Sequence, residues 1–271
     1  MAELSHSGSL IIDDIQDGSL LRRGDQCIHL RYGEDVAISA ANTLYFLSSL
    51  LIFGHPHLSK NQQLEIHEVM MKQFIRAHFG QALDIYWSRN MDKVFLQNWM
   101  IDSLEGKILQ MYELKTASPV IGLADAASII AEVNEDLRQE CVRFGKALGV
   151  AFQIIDDIKN FSSSPEWSKV KGEDLAEGKM TYVICKAIQH LDGAERKRLL
   201  DILLSKQQRK DSNCISEGCK LIFNSGALQT CRKDAKSLFK PALEKFTRKL
   251  EPSYPKFLLQ MICQRLINEK V

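Results

Sequence analysis

The amino-acid sequence predicts an all-α fold, and three observations carry the prediction. Apolar residues recur at helical spacing along nearly the whole chain, and no alternating apolar–polar run is long enough for a sheet. The strongest breakers are sparse, with 6 prolines and 15 glycines in 271 residues. None of the prolines falls between His57 and Ser118. No linker or internal repeat divides residues 1–271, so a single domain with one large core is expected.

The first helix is expected over Leu4 to Leu21, closed by Arg22-Arg23-Gly24-Asp25 with Gly24 in its C-terminal turn. A loop over Gln26 to Gly33 follows. Asp35 to Leu51 is apolar on more than one face, which marks a central helix, and Gly54-His55-Pro56-His57 breaks it. Helices are then expected over Lys60 to Trp87 and Met91 to Leu114, a turn over Lys115 to Pro119, and a small-residue helix over Val120 to Ala131. Asn134 to Phe161 reads as one long helix. Glu166 to Lys179 is polar and partly irregular. Helices over Thr181 to Leu191, Gly193 to Lys206, Cys214 to Asn224, Leu228 to Leu250 and Tyr254 to Glu269 complete a bundle of about ten helices.

Composition narrows the function. The chain is 45% hydrophobic and 25% charged, with a net charge of +1, so no global field draws it to nucleic acid or to an anionic membrane. Its 7 cysteines are scattered and include no CxxC pair, which fits reduced thiols in a cytoplasmic protein. No signal peptide opens the sequence, and no apolar run suits integral membrane association.

Two acidic clusters stand out. Asp13-Asp14-Ile15-Gln16-Asp17 follows the apolar run Leu10-Ile11-Ile12, and Asp156-Asp157-Ile158-Lys159-Asn160 follows Val150 to Ile155. Asp13 and Asp17 lie one helical turn apart and share a face. Carboxylates beside buried surface repel one another and lose hydration, and a hard cation such as Mg²⁺ relieves both penalties. Arg22 and Arg23 follow the first cluster, and Lys171, Asp174 and Lys179 follow the second. Acidic ligands interleaved with basic groups suit a Mg²⁺-diphosphate, arginine being a bidentate phosphate binder. Taken singly, each cluster is equally a solvated helix end with ion pairs. Two of them facing each other across a bundle would form a cavity with metal at its mouth. Such a site would stabilise a diphosphate as a leaving group by metal and electrostatic catalysis, with no nucleophilic Ser or Cys.

The sequence resembles the trans-isoprenyl diphosphate synthase (polyprenyl synthetase) family, most closely its eukaryotic-type geranylgeranyl diphosphate synthases. Five blocks in order carry the resemblance: Ser9 to Asp17 with Leu21-Arg22-Arg23-Gly24, Tyr32-Gly33, Gly80 to Trp87, Phe152 to Asp157, and Glu173 to Lys179. The resemblance implies an isoprenoid-synthase-type bundle around a central cavity. It also implies a homodimer and about three Mg²⁺ ions per site. Asp13, Asp17 and Asp156 would hold the metal, supported by Asp14, Asp157 and Asn160, with Asp174 on a metal-bound water. Arg22 and Lys179 would grip the allylic diphosphate, and Arg23 would belong to the isopentenyl diphosphate half. Gln153, Gln81 and Asp84 would line the reacting region.

Two departures follow from the same resemblance. The family carries a Lys-Thr pair on a middle helix, and taking Phe95 as the family's aromatic puts Asp102-Ser103 there. The family also has N-terminal helices, with Gly-Lys, Arg and His residues for isopentenyl diphosphate, that this chain is expected to lack. Small Gly8 and Ser9, before Asp13, leave room for a product beyond fifteen carbons. The expected activity is condensation of an allylic diphosphate with isopentenyl diphosphate to a C20-type product. The competing readings are a terpene-cyclase-like enzyme or one using another acceptor, and a non-catalytic partner subunit of an active synthase.

Overall fold

The computed structural model describes residues 1–91, 101–162 and 171–268. Helix α1 spans Ala2–Asp17 and stops at Gly18, whose φ of 66° makes the left-handed turn that closes it. The expected end at Leu21 is therefore too late. Leu21–Arg22 is instead strand β1, paired antiparallel with β2, Asp25–Gln26. Arg23 and Gly24 form the connecting turn with φ of 55° and 86°, the positive pair that a two-residue hairpin requires. Arg22 and Arg23 thus sit on a hairpin, and the expected loop up to Gly33 contains a short helix α2, Ile28–Tyr32.

Helix α3 spans Glu34–Leu50 and packs on α1. The two approach so closely at Gly8 that a Cβ there would lie 2.9 Å from the Ala41 carbonyl oxygen. Gly8 is therefore a helix-packing residue. Helix α4, Lys60–Arg89, is opened by a capping box in which the Ser59 hydroxyl accepts from the Gln62 N–H and the Gln62 side chain accepts from the Ser59 N–H.

Helix α5, Ile101–Tyr112, runs without a break into a π-helical turn, Glu113–Ala117, and then α6, Ser118–Ile130. The turn expected at Lys115–Pro119 does not occur. Pro119 sits in the first turn of α6, where no N–H is needed, so it permits the chain to continue helical. The widened turn is clasped by two glycines. A Cβ on Gly80 of α4 would lie 2.2 Å from the Lys115 backbone nitrogen, and one on Gly149 would lie 2.4 Å from Ala117 Cα.

Helix α7, Glu135–Phe161, is the spine of the bundle, with α6 and α12 packed along it. Its Ile154, Ile155, Ile158 and Phe161 are buried in the main core. The rest of the chain folds as α8 (Glu173–Glu177), α9 (Tyr182–His190), α10 (Gly193–Leu204), a 3₁₀ turn (Gln208–Lys210), α11 (Ser212–Asn224), α12 (Ala227–Arg248) and α13 (Tyr254–Asn268). All seven cysteines are free. Among the described residues no helix is long and apolar enough to cross a membrane.

Candidate active site

Asp13 and Asp17 project from the C-terminal half of α1 toward two lysines. Lys179, just beyond α8, donates to Asp17 Oδ2 at 2.8 Å and lies 2.5 Å from Glu177 Oε2. Lys115, in the π turn, donates to Asp84 Oδ2 at 2.6 Å, and its charge reaches Asp13. Burial raises the Asp13 carboxyl, but Lys115, Lys179, a 3.0 Å hydrogen bond from Gln81 and the nearby Arg22 outweigh it and hold the group below its ordinary value. Gln81 also donates to Gln16 at 2.7 Å, tying α4 to the acidic end of α1.

The first cluster reaches the second indirectly: Lys179 pairs with Asp17 and feels Asp174, and the charge of Asp174 acts on Asp157. Burial works against the Lys179 charge, but Asp17, Glu177 and Asp174 reverse the effect and raise its pKa. Burial also pushes the Glu177 carboxyl up to about 7, against the pull of Lys179. On α7, Asp156 is half-buried and Asp157 is only 2% exposed. Burial together with the charges of Asp174 and Asp156 lifts the Asp157 pKa well above its ordinary value, opposed by donors on both its oxygens. Tyr112 donates to Oδ2 at 2.5 Å and Gln153 to Oδ1 at 3.0 Å. The Thr116 hydroxyl donates to Gln153 Oε1 at 2.6 Å, so the π turn and α7 are joined beside the site. Asn160 accepts from the Asp174 N–H at 3.3 Å, and its carbonyl accepts from the Gly172 N–H at 3.0 Å, which fixes α8 against α7.

The expected residues therefore divide. Asp13, Asp17, Gln81, Asp84, Gln153, Asp174 and Lys179 share one electrostatic neighbourhood, and Asp156 joins it through Asp157. Asp14 is buried behind them, and Arg22 Nε donates to its Oδ1 at 2.9 Å while standing 3.8 Å from Asp13. Arg23 is exposed at the hairpin tip, so the two arginines do not converge on one point.

Sequence reasoning missed Lys115, Thr116 and Tyr112. The placement of the Lys-Thr pair at Asp102-Ser103 is corrected: Phe95 and the Asp102 side chain lie outside the described residues, and Lys115-Thr116 is the pair that faces Asp13 and Gln153. It is the only Lys-Thr dipeptide in the chain, a signal that the misread turn concealed.

Among the described residues no three His, Cys, Asp or Glu side chains converge into a closed metal cage. Asp13 and Asp17 on one element and Asp156 on another could each offer a carboxylate to a hard cation completed by water and phosphate.

Comparison with known proteins assigns the architecture. The family profile of polyprenyl synthetases matches residues 1–219. The chain belongs to the polyprenyl synthetase family. A geranylgeranyl pyrophosphate synthase of Aspergillus fumigatus is 32% identical over 243 residues, covering 89% of this chain and 61% of that protein. This polyprenyl synthetase chain thus spans about three fifths of that relative. Its fold matches the geranylgeranyl pyrophosphate synthetase of Pyrococcus horikoshii with a TM-score of 0.84 at 24% identity, over 99% of this chain and 78% of the other. It also matches a geranylgeranyl pyrophosphate synthase of Corynebacterium glutamicum, complexed with isoprenyl diphosphate and magnesium, with a TM-score of 0.83 at 20% identity, over 99% and 77% of the two chains.

Tyr112 anchors Asp157 and also accepts from the Tyr182 N–H at 2.9 Å. Tyr112→Phe strands both buried groups and is expected to lower stability by about 1–3 kcal/mol, measured by chemical denaturation.

Proposed function

We propose that this polyprenyl synthetase chain is a Mg²⁺-dependent prenyltransferase joining an allylic diphosphate, farnesyl or shorter, to isopentenyl diphosphate. The product is a C20-type prenyl diphosphate. The observation that carries the reading is the meeting of Asp13 and Asp17 with Lys115 and Lys179 across the bundle.

In this reading about three Mg²⁺ ions neutralise the diphosphate and improve it as a leaving group. Asp13 and Asp17 would hold metal from α1, and Asp156 from α7, with Asp174 on a metal-bound water. Asp14 and Asp157 act from behind, Asp14 by fixing Arg22 and Asp157 by fixing Gln153, while Asn160 holds α8 in place. The Lys115 and Lys179 ammonium groups, paired here with Asp84 and with Asp17 and Glu177, would turn to diphosphate oxygens in the loaded site. Their positive charge stabilises the negative charge that grows as the carbon–oxygen bond breaks. Thr116 and Gln153 present polar oxygens beside the developing allylic cation. Arg22 supports the allylic diphosphate, and Arg23 and the residues near it serve the second substrate. The case for another acceptor rested on Asp102 and on the upstream isopentenyl residues that the chain is expected to lack; Lys115 beside Asp84 and Asp13 answers the first, and the second stands.

Incubation with farnesyl diphosphate and Mg²⁺, with and without labelled isopentenyl diphosphate, tests the reading. C20 diphosphate is expected only when isopentenyl diphosphate is present. Diphosphate release with a hydrocarbon or alcohol in its absence would favour a cyclase-like reaction, and no turnover with or without a partner synthase would favour a non-catalytic subunit.

Ser9 lies one turn before Asp13 on the same face and is half-buried. Ser9→Phe is expected to shorten the product, read by chromatography of the dephosphorylated alcohols. Gly8→Phe would instead push α1 from α3, because its Cβ points at the Ala41 backbone.

A homodimer also belongs to this reading. Ile75, Phe79, Leu83 and Tyr86 form an exposed apolar stripe at helical spacing on α4, 58%, 63%, 38% and 57% accessible. Phe79→Glu is expected to halve the mass measured by light scattering.

A further inference from the structure

A cavity of about 720 Å³ is lined by none of the residues assigned to this reaction. It opens between α8, the 3₁₀ turn and α11. Its rim is basic: Lys171, Arg209, Lys210 and Lys220 stand against one acid, Glu173. Its apolar lining is Ile215, the buried Cys219 and the exposed Phe223.

Arg209 distinguishes this cavity from a group of surface lysines. Its guanidinium lies against Gly178, where a Cβ would stand 2.1 Å from Nη1. Its Nε is buried and finds no hydrogen-bond partner among the described residues. Burial lowers its pKa, and no carboxylate counters the effect. Other arginines are partnered: Arg22 on Asp14, Arg138 on Asp125 and Arg198 on Glu217. The Nε itself is closed off from the cavity, so an anion there would meet the part of Arg209 that lines it, together with Lys210 and Lys220, through charge-assisted hydrogen bonds.

We propose that this cavity binds an amphiphilic phosphate monoester, with its headgroup on Arg209, Lys210 and Lys220 and its hydrocarbon portion on Ile215, Cys219 and Phe223. A single lining carboxylate gives no Mg²⁺ site, so binding is metal-independent, unlike the site at Asp13. The wall residues Gly172 and Ala176 flank and belong to α8, the helix that carries Asp174, and the chain continues through Gly178 to Lys179. An occupant therefore touches the element that connects the two acidic clusters.

The test is calorimetric titration of the full chain with octyl phosphate in EDTA, with inorganic phosphate as the headgroup-only probe. It is independent of prenyl transfer, so its failure leaves the proposed activity untouched. Saturable binding is expected, weakened about tenfold by Lys220→Glu and by Arg209→Gln and unchanged by Asp13→Asn. Lys220 is exposed, so its variant keeps the fold even if the Arg209 variant does not. Inorganic phosphate should bind more weakly than the octyl ester. No saturable binding, binding indifferent to Lys220→Glu, loss of binding in Asp13→Asn, or equal affinity for both probes would overturn the proposal.

Discussion

Lys115→Gln is expected to slow allylic turnover by about 10²- to 10³-fold, the usual effect of removing one donor aimed at developing charge. Lys115 sits in the π turn between Asp84 and Asp13, and those charges keep its pKa raised despite burial. That favours its ammonium form. A glutamine retains a donor for Asp84, which limits the loss of stability that an unpaired buried carboxylate would cause. Asp84 still loses its counter-ion, so the melting temperature should fall as well, while kcat falls much further than the folded fraction. Steady-state kinetics with farnesyl diphosphate, beside a thermal melt of the same sample, checks both halves. A variant with unchanged kcat would remove Lys115 from the chemistry.

Gly80→Ala is expected to lower stability by about 3 kcal/mol, the upper end for overpacking. Its Cβ would meet Lys115 N at 2.2 Å, Lys115 Cα at 2.6 Å and Leu114 C at 2.7 Å. All three are backbone atoms, so no side-chain rotation relieves the clash. For a chain of this size that corresponds to a fall of roughly 6–12 °C in melting temperature. The π turn must shift, and Lys115 and Thr116 shift with it, so turnover falls in the protein that remains folded. Gly106→Ala is the control: nothing lies within 4 Å of its Cβ, and alanine in a helix interior gains up to about 1 kcal/mol over glycine.

The helices and the acidic pairs were legible because both depend on local spacing. Apolar periodicity marks α3, α4 and α7, and Asp13 and Asp17 share a face wherever α1 is placed. The positions that sequence reasoning misplaced depend on the neighbours of a residue. Lys-Thr-Ala-Ser-Pro reads as a turn until Gly80 and Gly149 are seen to clasp a π turn from outside. Gly8 reads as cavity space until α3 is seen against it. Gly18 and Gly24 are both credible helix terminators, and only the pairing of Leu21 with Gln26 selects the first. Likewise Asp14 resembles its neighbours Asp13 and Asp17 in sequence, but Arg22 folds back onto it and withdraws it from the front of the site.

The two acidic faces, with Lys115 and Lys179 between them, are expected to hold a diphosphate through metal. Binding of farnesyl thiolodiphosphate, which resists ionisation, tests it most directly by calorimetry in Mg²⁺ and in EDTA. The account predicts tight binding in Mg²⁺ that disappears in EDTA and in Asp13→Asn. Binding of equal strength in EDTA, or binding indifferent to Asp13→Asn, would contradict it.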